Sequence, residues 1–263
     1  MPVIGTWQGG AGVWATGITD IVEGQVLVRG LPIDRLISER SFAEVLALLL
    51  VGRLPSAAEA RMVEAVLVAS IDHGATSPSA LTARTVASGG ASPQVASVAG
   101  LLALSKYHGA TVSDCADLLT EVVQTAREKS TLEASAEQSV RFYLAQGRRV
   151  PGFGHRVHSS DPRVPVLFGL AAEVGLDQTY IHAANAVGAA LDRELKRSLP
   201  MNLDTAIAAV LLPFIPRDLV LPVFMASRFC GIYMQAHEES TRMKPMRRIN
   251  PSEWSYDGPR AGG

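Results

Sequence analysis

Apolar positions recur at helical spacing through most of the chain, and the exceptions come first. Residues 13–30, VWATGITDIVEGQVLVRG, read as two short extended pieces around a Glu23-Gly24 turn, because β-branched residues flank a glycine. From there a period of about 3.6 residues takes over. SFAE at 41–44 is a capping box, in which Ser41 and Glu44 satisfy each other's backbone N–H groups. It predicts a helix, FAEVLALLLV, that stops at Gly52. A second box, Ser56 to Glu59 in PSAAE, opens a helix running towards Asp72. Apolar patterning then predicts helices over 80–87, 95–106, 112–127 and 133–146, punctuated by Gly89-Gly90, His108-Gly109 and Gly147. The stretch 150–162, VPGFGHRVHSSDP, breaks the pattern with two glycines and two prolines and reads as a loop. Helical pattern returns over 163–174, 178–196, 204–212 and 219–239, and the Pro- and Gly-rich tail reads as irregular. With no repeat at solenoid spacing and no low-complexity block, the prediction is an all-α protein with a small N-terminal β-hairpin.

Composition adds bounds. A chain of 263 residues, 48% hydrophobic and 19% charged, is long enough to bury a substantial core as one large or two smaller domains. A net charge of −1 gives no global attraction to nucleic acid or to an anionic membrane, so an anionic ligand must be drawn by local Arg and His. Two cysteines, Cys115 and Cys230, argue against a disulfide framework and for a reducing, cytoplasmic setting. The start, MPVIGTWQGG, has no basic region followed by an apolar stretch, so it does not read as a signal peptide. The longest apolar runs, VLALLLV and IAAVLLPFI, fall short of the ~20 residues a membrane helix needs.

Six histidines are present, and His73 (DHG), His108 (KYHGA) and His155 (GFGHR) each sit beside glycine in a predicted loop. A histidine there can exchange a proton with a substrate near neutral pH, or merely satisfy a carbonyl. Asp204 follows NL and opens a strongly apolar helix. As an N-cap it would satisfy backbone N–H groups, which is the reading sequence favours; as a general base it would carry a proton in transit. Arg228 lies in the apolar run VFMASRFCGIYM and needs a partner, either an internal acid or a ligand carboxylate. Arg163 stands at a helix start, and KPMRR near the end is a basic cluster or a solvated tail. His155 and His158 could chelate a metal only if helical; the surrounding Gly and Pro speak for a loop, and no metal site is expected. GFG has no βαβ unit around it and is no dinucleotide fingerprint, but its backbone N–H groups could receive an adenine or a phosphate.

With these residues in view the chain resembles the citrate synthase superfamily. The resemblance rests on PGFGHRVHSSDPR (151–163), NLD (202–204), KYHGA (106–110) and DHGATSPSALTAR (72–84), in the family's order. It implies a two-domain helical fold acting as a homodimer or higher homo-oligomer, with a large domain from 1–110 and 201–263, a small domain from 111–200, and active sites in the cleft between. The roles it implies are these. His108 stabilises the enol of acetyl-CoA, Asp204 moves the proton on the acetyl carbon, and His155 contacts the oxygen of the four-carbon partner. His73, Arg163, Arg228 and a tail basic residue, taken as Arg248 over Lys244 and Arg247, hold carboxylates. Pro151, Gly152, Phe153 and Gly154 line the CoA adenine pocket. The coenzyme A thioester is substrate or product, with no tightly bound cofactor. The chemistry is coherent, because a thioester α-proton is a very weak acid and needs a donor at the enolate oxygen besides a base.

The chain departs from synthases in its shortness, in HGAT after His108, and in the tail MKPMRRINPSEWSYDGP. These departures resemble the citryl-CoA lyases, including the lyase module of ATP-citrate lyase. The expectation is therefore retro-Claisen cleavage of citryl-CoA, or a close 3-hydroxy-acyl-CoA, to acetyl-CoA and oxaloacetate or a related oxo acid. The alternatives are a citrate or 2-methylcitrate synthase and a non-catalytic binder of CoA esters.

Overall fold

The computed structural model describes residues 15–154 and 159–259. Among the described residues it has eleven α-helices and one three-stranded antiparallel sheet. The predicted hairpin is strands β1 (Thr19–Val22) and β2 (Gln25–Val28), paired from Thr19↔Val28 to Val22↔Gln25. A third strand, β3 (Leu31–Pro32), was not predicted. It joins β2 through Arg29 and Gly30, whose φ of 50° and 80° suit a tight hairpin turn that sequence reads poorly at an arginine. The Arg29 guanidinium then donates to the Leu49 carbonyl at 2.8 and 3.2 Å, tying the sheet to the end of the next long helix. Also unpredicted is α1 (Ile33–Glu39), which starts behind Pro32 with no side-chain cap.

Both capping boxes form. In α2 (Phe42–Val51) Ser41 Oγ accepts from Glu44 N at 3.2 Å and Glu44 Oε2 accepts from Ser41 N at 2.8 Å, and Gly52 closes the helix in the left-handed conformation. Ser56 and Glu59 do the same for α3 (Ala57–Ala69), which stops before Asp72. The remaining helices are α4 (Pro78–Ser88), α5 (Pro93–Leu102), α6 (Thr111–Lys129), α7 (Leu132–Ala145), α8 (Arg163–Glu173), α9 (Thr179–Leu195), α10 (Leu203–Leu211) and α11 (Val220–Arg242). The expected helix to residue 106 ends at Leu102, because Ser105 and His108 exchange both backbone hydrogen bonds at 2.8 Å in a tight turn.

The chain packs as two compact units. One gathers the described parts of Met1–Ala69 and Val112–Val223, the other those of Ser70–Thr111 and Phe224–Gly263. The grouping describes packing, and the expected division of 1–110 with 201–263 against 111–200 stays a proposal about a catalytic cleft. In the first unit α10 is the centre: Ala206 to Leu211 are all 0% exposed, and α3, α8 and α9 pack around it. In the second, α4 and α5 form a close pair. Gly100 of α5 permits this, since a Cβ there would meet Ile232 Cγ2 at 2.5 Å and the Ser79 carbonyl at 2.8 Å.

The segment Arg217–Arg242 is long and apolar enough, by length and composition, to cross a membrane. Pro222, Arg228 and the Glu238-Glu239 pair divide its sequence into short apolar runs. Its 3%-exposed Arg228 and 2%-exposed Glu239 lie against protein beside buried Val223, Phe224, Ile232 and Ala236, which is the pattern of a core helix.

Candidate active site

In the first unit the two motif segments 151–154 and 202–204 form one piece. Phe153 bridges Met201 antiparallel, Gly154 N donates to the Pro200 carbonyl at 2.7 Å, and Asn202 N donates to the Gly152 carbonyl at 3.0 Å. Side chains reinforce the seam. Thr205 Oγ1 donates to the Gly152 carbonyl at 3.1 Å, and Asn202 Nδ2 donates to the Gly154 carbonyl at 3.3 Å. Gly152 has to be glycine: its φ is +80°, and a Cβ would fall 1.7 Å from Thr205 Oγ1 and 2.6 Å from Cys115 Sγ. Pro151 and Phe153 are half-buried, and the Phe153 ring lies against Gly188 of α9.

Asp204 is not the cap of α10. Asn202 is: its extended backbone leads in and its Oδ1 accepts from Asp204 N at 3.0 Å. The expected capping role for Asp204 is thereby corrected, because the cap position falls two residues earlier in NLD. Its half-buried carboxylate sits in the first turn of α10, where the helix dipole favours its charge. The Cys115 thiol is pushed well above its ordinary value, first by burial and then by the Asp204 charge.

Arg163 opens α8 and grips Asp161, which is 1% exposed, through Nε–Oδ1 at 2.9 Å and Nη2–Oδ2 at 2.7 Å. Its Nη1 donates to the Ala69 carbonyl at 3.4 Å. An internal acid therefore orients this guanidinium in the structure. His155 and His158 lie outside the described residues.

The second unit carries the other candidates. His73 and His108 approach with ring centroids 6.4 Å apart and planes tilted by 33°. Ser79, 0% exposed in the first turn of α4, lies 2.8 Å from His108 Nε2 and fixes the ring's orientation. Sequence reasoning missed Ser79; its signal was a polar residue one step after a proline helix start in DHGATSPSALTAR. Arg228 is buried on α11 with its guanidinium 4.8 Å over the Phe224 ring, a cation–π placement.

Arg84 is a second buried arginine that sequence reasoning passed over. Its Nη1 donates to Gln235 Oε1 at 2.7 Å and Glu238 Oε2 at 3.0 Å, and its Nε meets Glu239 Oε2 at 2.9 Å. Glu239 also takes both arms of Arg247, at 2.7 and 2.5 Å. Arg247 and then Arg84 hold the Glu239 carboxyl below the usual carboxylate range. The Met246 and Arg247 N–H groups bond to Ser88 O and Oγ at 2.8 and 3.1 Å, so the solvated-tail reading fails for 246–247. Arg248, the next residue, is exposed.

Residues 56–250 match the family described as "Citrate synthase, C-terminal domain". The chain belongs to the citrate synthase family. Citrate synthase of Helicobacter pylori is 30% identical over 243 residues, 88% of this chain and 53% of that protein. The chain spans about half the length of the curated relatives it matches. Among solved structures, citryl-CoA lyase from Hydrogenobacter thermophilus is 34% identical with a TM-score of 0.84, covering 94% of this chain and 96% of that one. ATP citrate lyase from Methanothrix soehngenii, solved with citrate and coenzyme A, covers 94% of this chain and 42% of its own at TM-score 0.83; at 19% identity it shares the fold alone. The all-α citrate synthase fold with its small N-terminal sheet is thus shared along nearly the whole chain.

Proposed function

We propose that this citrate synthase family member cleaves citryl-CoA, or a close 3-hydroxy-acyl-CoA, to acetyl-CoA and oxaloacetate or a related oxo acid by a retro-Claisen step. The observation that carries this reading is the likeness to the Hydrogenobacter citryl-CoA lyase, which runs nearly end to end on both chains. His108, oriented by Ser79, donates to the thioester oxygen as the enol of acetyl-CoA forms. Asp204 gives its proton to the acetyl carbon, and the reading needs both residues to act on one acetyl group. His155 takes the hydroxyl proton as the C–C bond breaks. His73, Arg163, Arg228 and Arg248 hold the carboxylates, and the 151–154 turn offers backbone to the CoA adenine. Arg163 does so with one edge already fixed by Asp161.

In this reading a homodimer works in the cytoplasm, with a cleft that closes over its substrate between the expected large and small domains. Support for the assembly comes from the family resemblance, and support for the compartment from two cysteines in 263 residues.

The Helicobacter relative's name favours a second reading, condensation of an acyl-CoA with oxaloacetate. One experiment separates the two. Purified protein is given citryl-CoA in one assay, and acetyl-CoA or propionyl-CoA with oxaloacetate in another. Oxaloacetate release from citryl-CoA without thiol release in the second assay supports cleavage. Brisk thiol release there overturns it.

A further inference from the structure

Two of the elements given substrate-binding roles, the His73 loop and the C-terminal basic segment, are joined by one unbroken chain of hydrogen bonds. It begins at Asp72, whose Oδ2 accepts from Gly74 N at 3.0 Å and from Gln235 Nε2 at 3.1 Å. Gln235 Oε1 accepts from Arg84 at 2.7 Å. Arg84 passes to Glu238 and Glu239, and Glu239 passes to Arg247. Gln235, Glu238 and Glu239 stand at i, i+3 and i+4, so one face of α11 presents all three.

The cost of this arrangement argues that it does more than cover surface. The Glu239 side chain is 1% exposed and that of Arg84 is 5% exposed. Two charges withdrawn from water give little net stability over apolar replacements, whereas a fully satisfied network specifies one geometry. Arg247 contributes a two-armed fork that a lysine cannot reproduce. The residue before it, Met246, is held at φ +62°, a conformation that persists where surrounding bonds over-determine it. Its N–H and that of Arg247 are both bonded to Ser88 at the end of α4.

We propose that Arg84, Gln235 and Glu239 are positioning residues, with Arg247 as the anchor of the tail and Arg248 as the residue that the anchor presents to the substrate's carboxylates. The substrate half of this inference rests on the function proposed above. The anchoring half does not.

The test uses the full chain with Glu239→Gln, Arg247→Lys and Arg248→Ala. Hydrogen exchange reads the Met246 and Arg247 amides, and steady-state cleavage of citryl-CoA reads KM and kcat separately. Glu239→Gln and Arg247→Lys should lose amide protection at 246–247. Both should raise KM about tenfold, the loss of one charge-assisted contact, with kcat little changed. Adding Glu239→Gln to Arg248→Ala should raise KM no further. Three results overturn the proposal: protection retained in Arg247→Lys, protection lost with KM unchanged, or additive KM effects of Arg247→Lys and Arg248→Ala. Should Glu239→Gln fail to fold, Arg247→Lys decides, since that side chain is 38% exposed. Should the wild-type chain leave citryl-CoA intact, the proposed function falls, and with it the role given to Arg248. Exchange still decides the anchor.

Discussion

Asn202 joins two motif segments through one side-chain amide. Its Oδ1 accepts from Asp204 N at 3.0 Å and its Nδ2 donates to the Gly154 carbonyl at 3.3 Å. The proposed proton donor and the proposed adenine-binding turn therefore share one side-chain amide among the bonds that hold them in register. Asn202→Ala removes the cap of α10 and the tie to Gly154 together, and is expected to cost about 1–2 kcal/mol. Asn202→Ser keeps a capping oxygen and should recover about half of that loss. Urea unfolding of the two variants checks this; equal midpoints would show that the cap contributes nothing.

The two glycines of the turn should respond differently to alanine. Gly152→Ala places a methyl where Thr205 Oγ1 and Cys115 Sγ already stand and keeps φ at +80°, so a loss of about 3 kcal/mol or more is expected. Gly154 has φ +98° and nothing among the described residues within 4 Å of its missing Cβ, and its alanine variant should cost about 1 kcal/mol of backbone strain. Equal losses in equilibrium denaturation would mean that the close approach to Thr205 relaxes freely.

Asp204→Asn should lower turnover about a hundred- to ten-thousandfold while leaving CoA affinity nearly intact by calorimetry. Ser79→Ala leaves the imidazole of His108 in place and removes its 2.8 Å partner, so kcat should fall about tenfold with the fold retained. Unchanged turnover in Asp204→Asn would remove Asp204 from the chemistry.

Acid should weaken the fold through specific carboxylates. Glu44 is held below its ordinary value by the Ser41 N–H, Glu59 by Arg53, Glu238 by Arg84 and Glu239 by Arg247. A depressed folded-state pKa stabilises the native form above the unfolded value and is lost as pH falls through the folded one. The contribution of these carboxylates should therefore hold down to about pH 5.5 and decline below about pH 5. Denaturant midpoints across that range check it. Glu239→Gln should show a shallower acid limb than wild type, and an identical limb would show that Glu239 does not contribute.

The helices were legible because their rules act within one turn. Ser41-Glu44, Ser56-Glu59 and Gly52 lie within reach of the N–H and C=O groups they satisfy, so the spacing in SFAE or PSAAE is already the geometry. The third strand and α1 were not legible, for the same reason inverted. Two residues of strand carry no period, and an arginine at φ 50° carries no turn signal. For the proposed site, the motifs singled out His73, His108, Asp204 and the 151–154 turn, yet Ser79 beside His108 and Thr205 beside the turn were hidden.

By itself the sequence determined an all-α chain with a small N-terminal sheet, the order of its motifs and the family they point to. It singled out the residue types the proposed chemistry needs. Only the tertiary structure decided which group answers which. Ser79 faces His108 across 29 residues, Thr205 faces the Gly152 carbonyl across 53, and Arg84 reaches Glu238 across 154. A helix or a cap is chosen by groups a few bonds away. A buried arginine or an oriented imidazole takes its partner from whatever segment the packed core returns to its side, because its unmet hydrogen bonds are too costly to leave and water is no longer there to fill them.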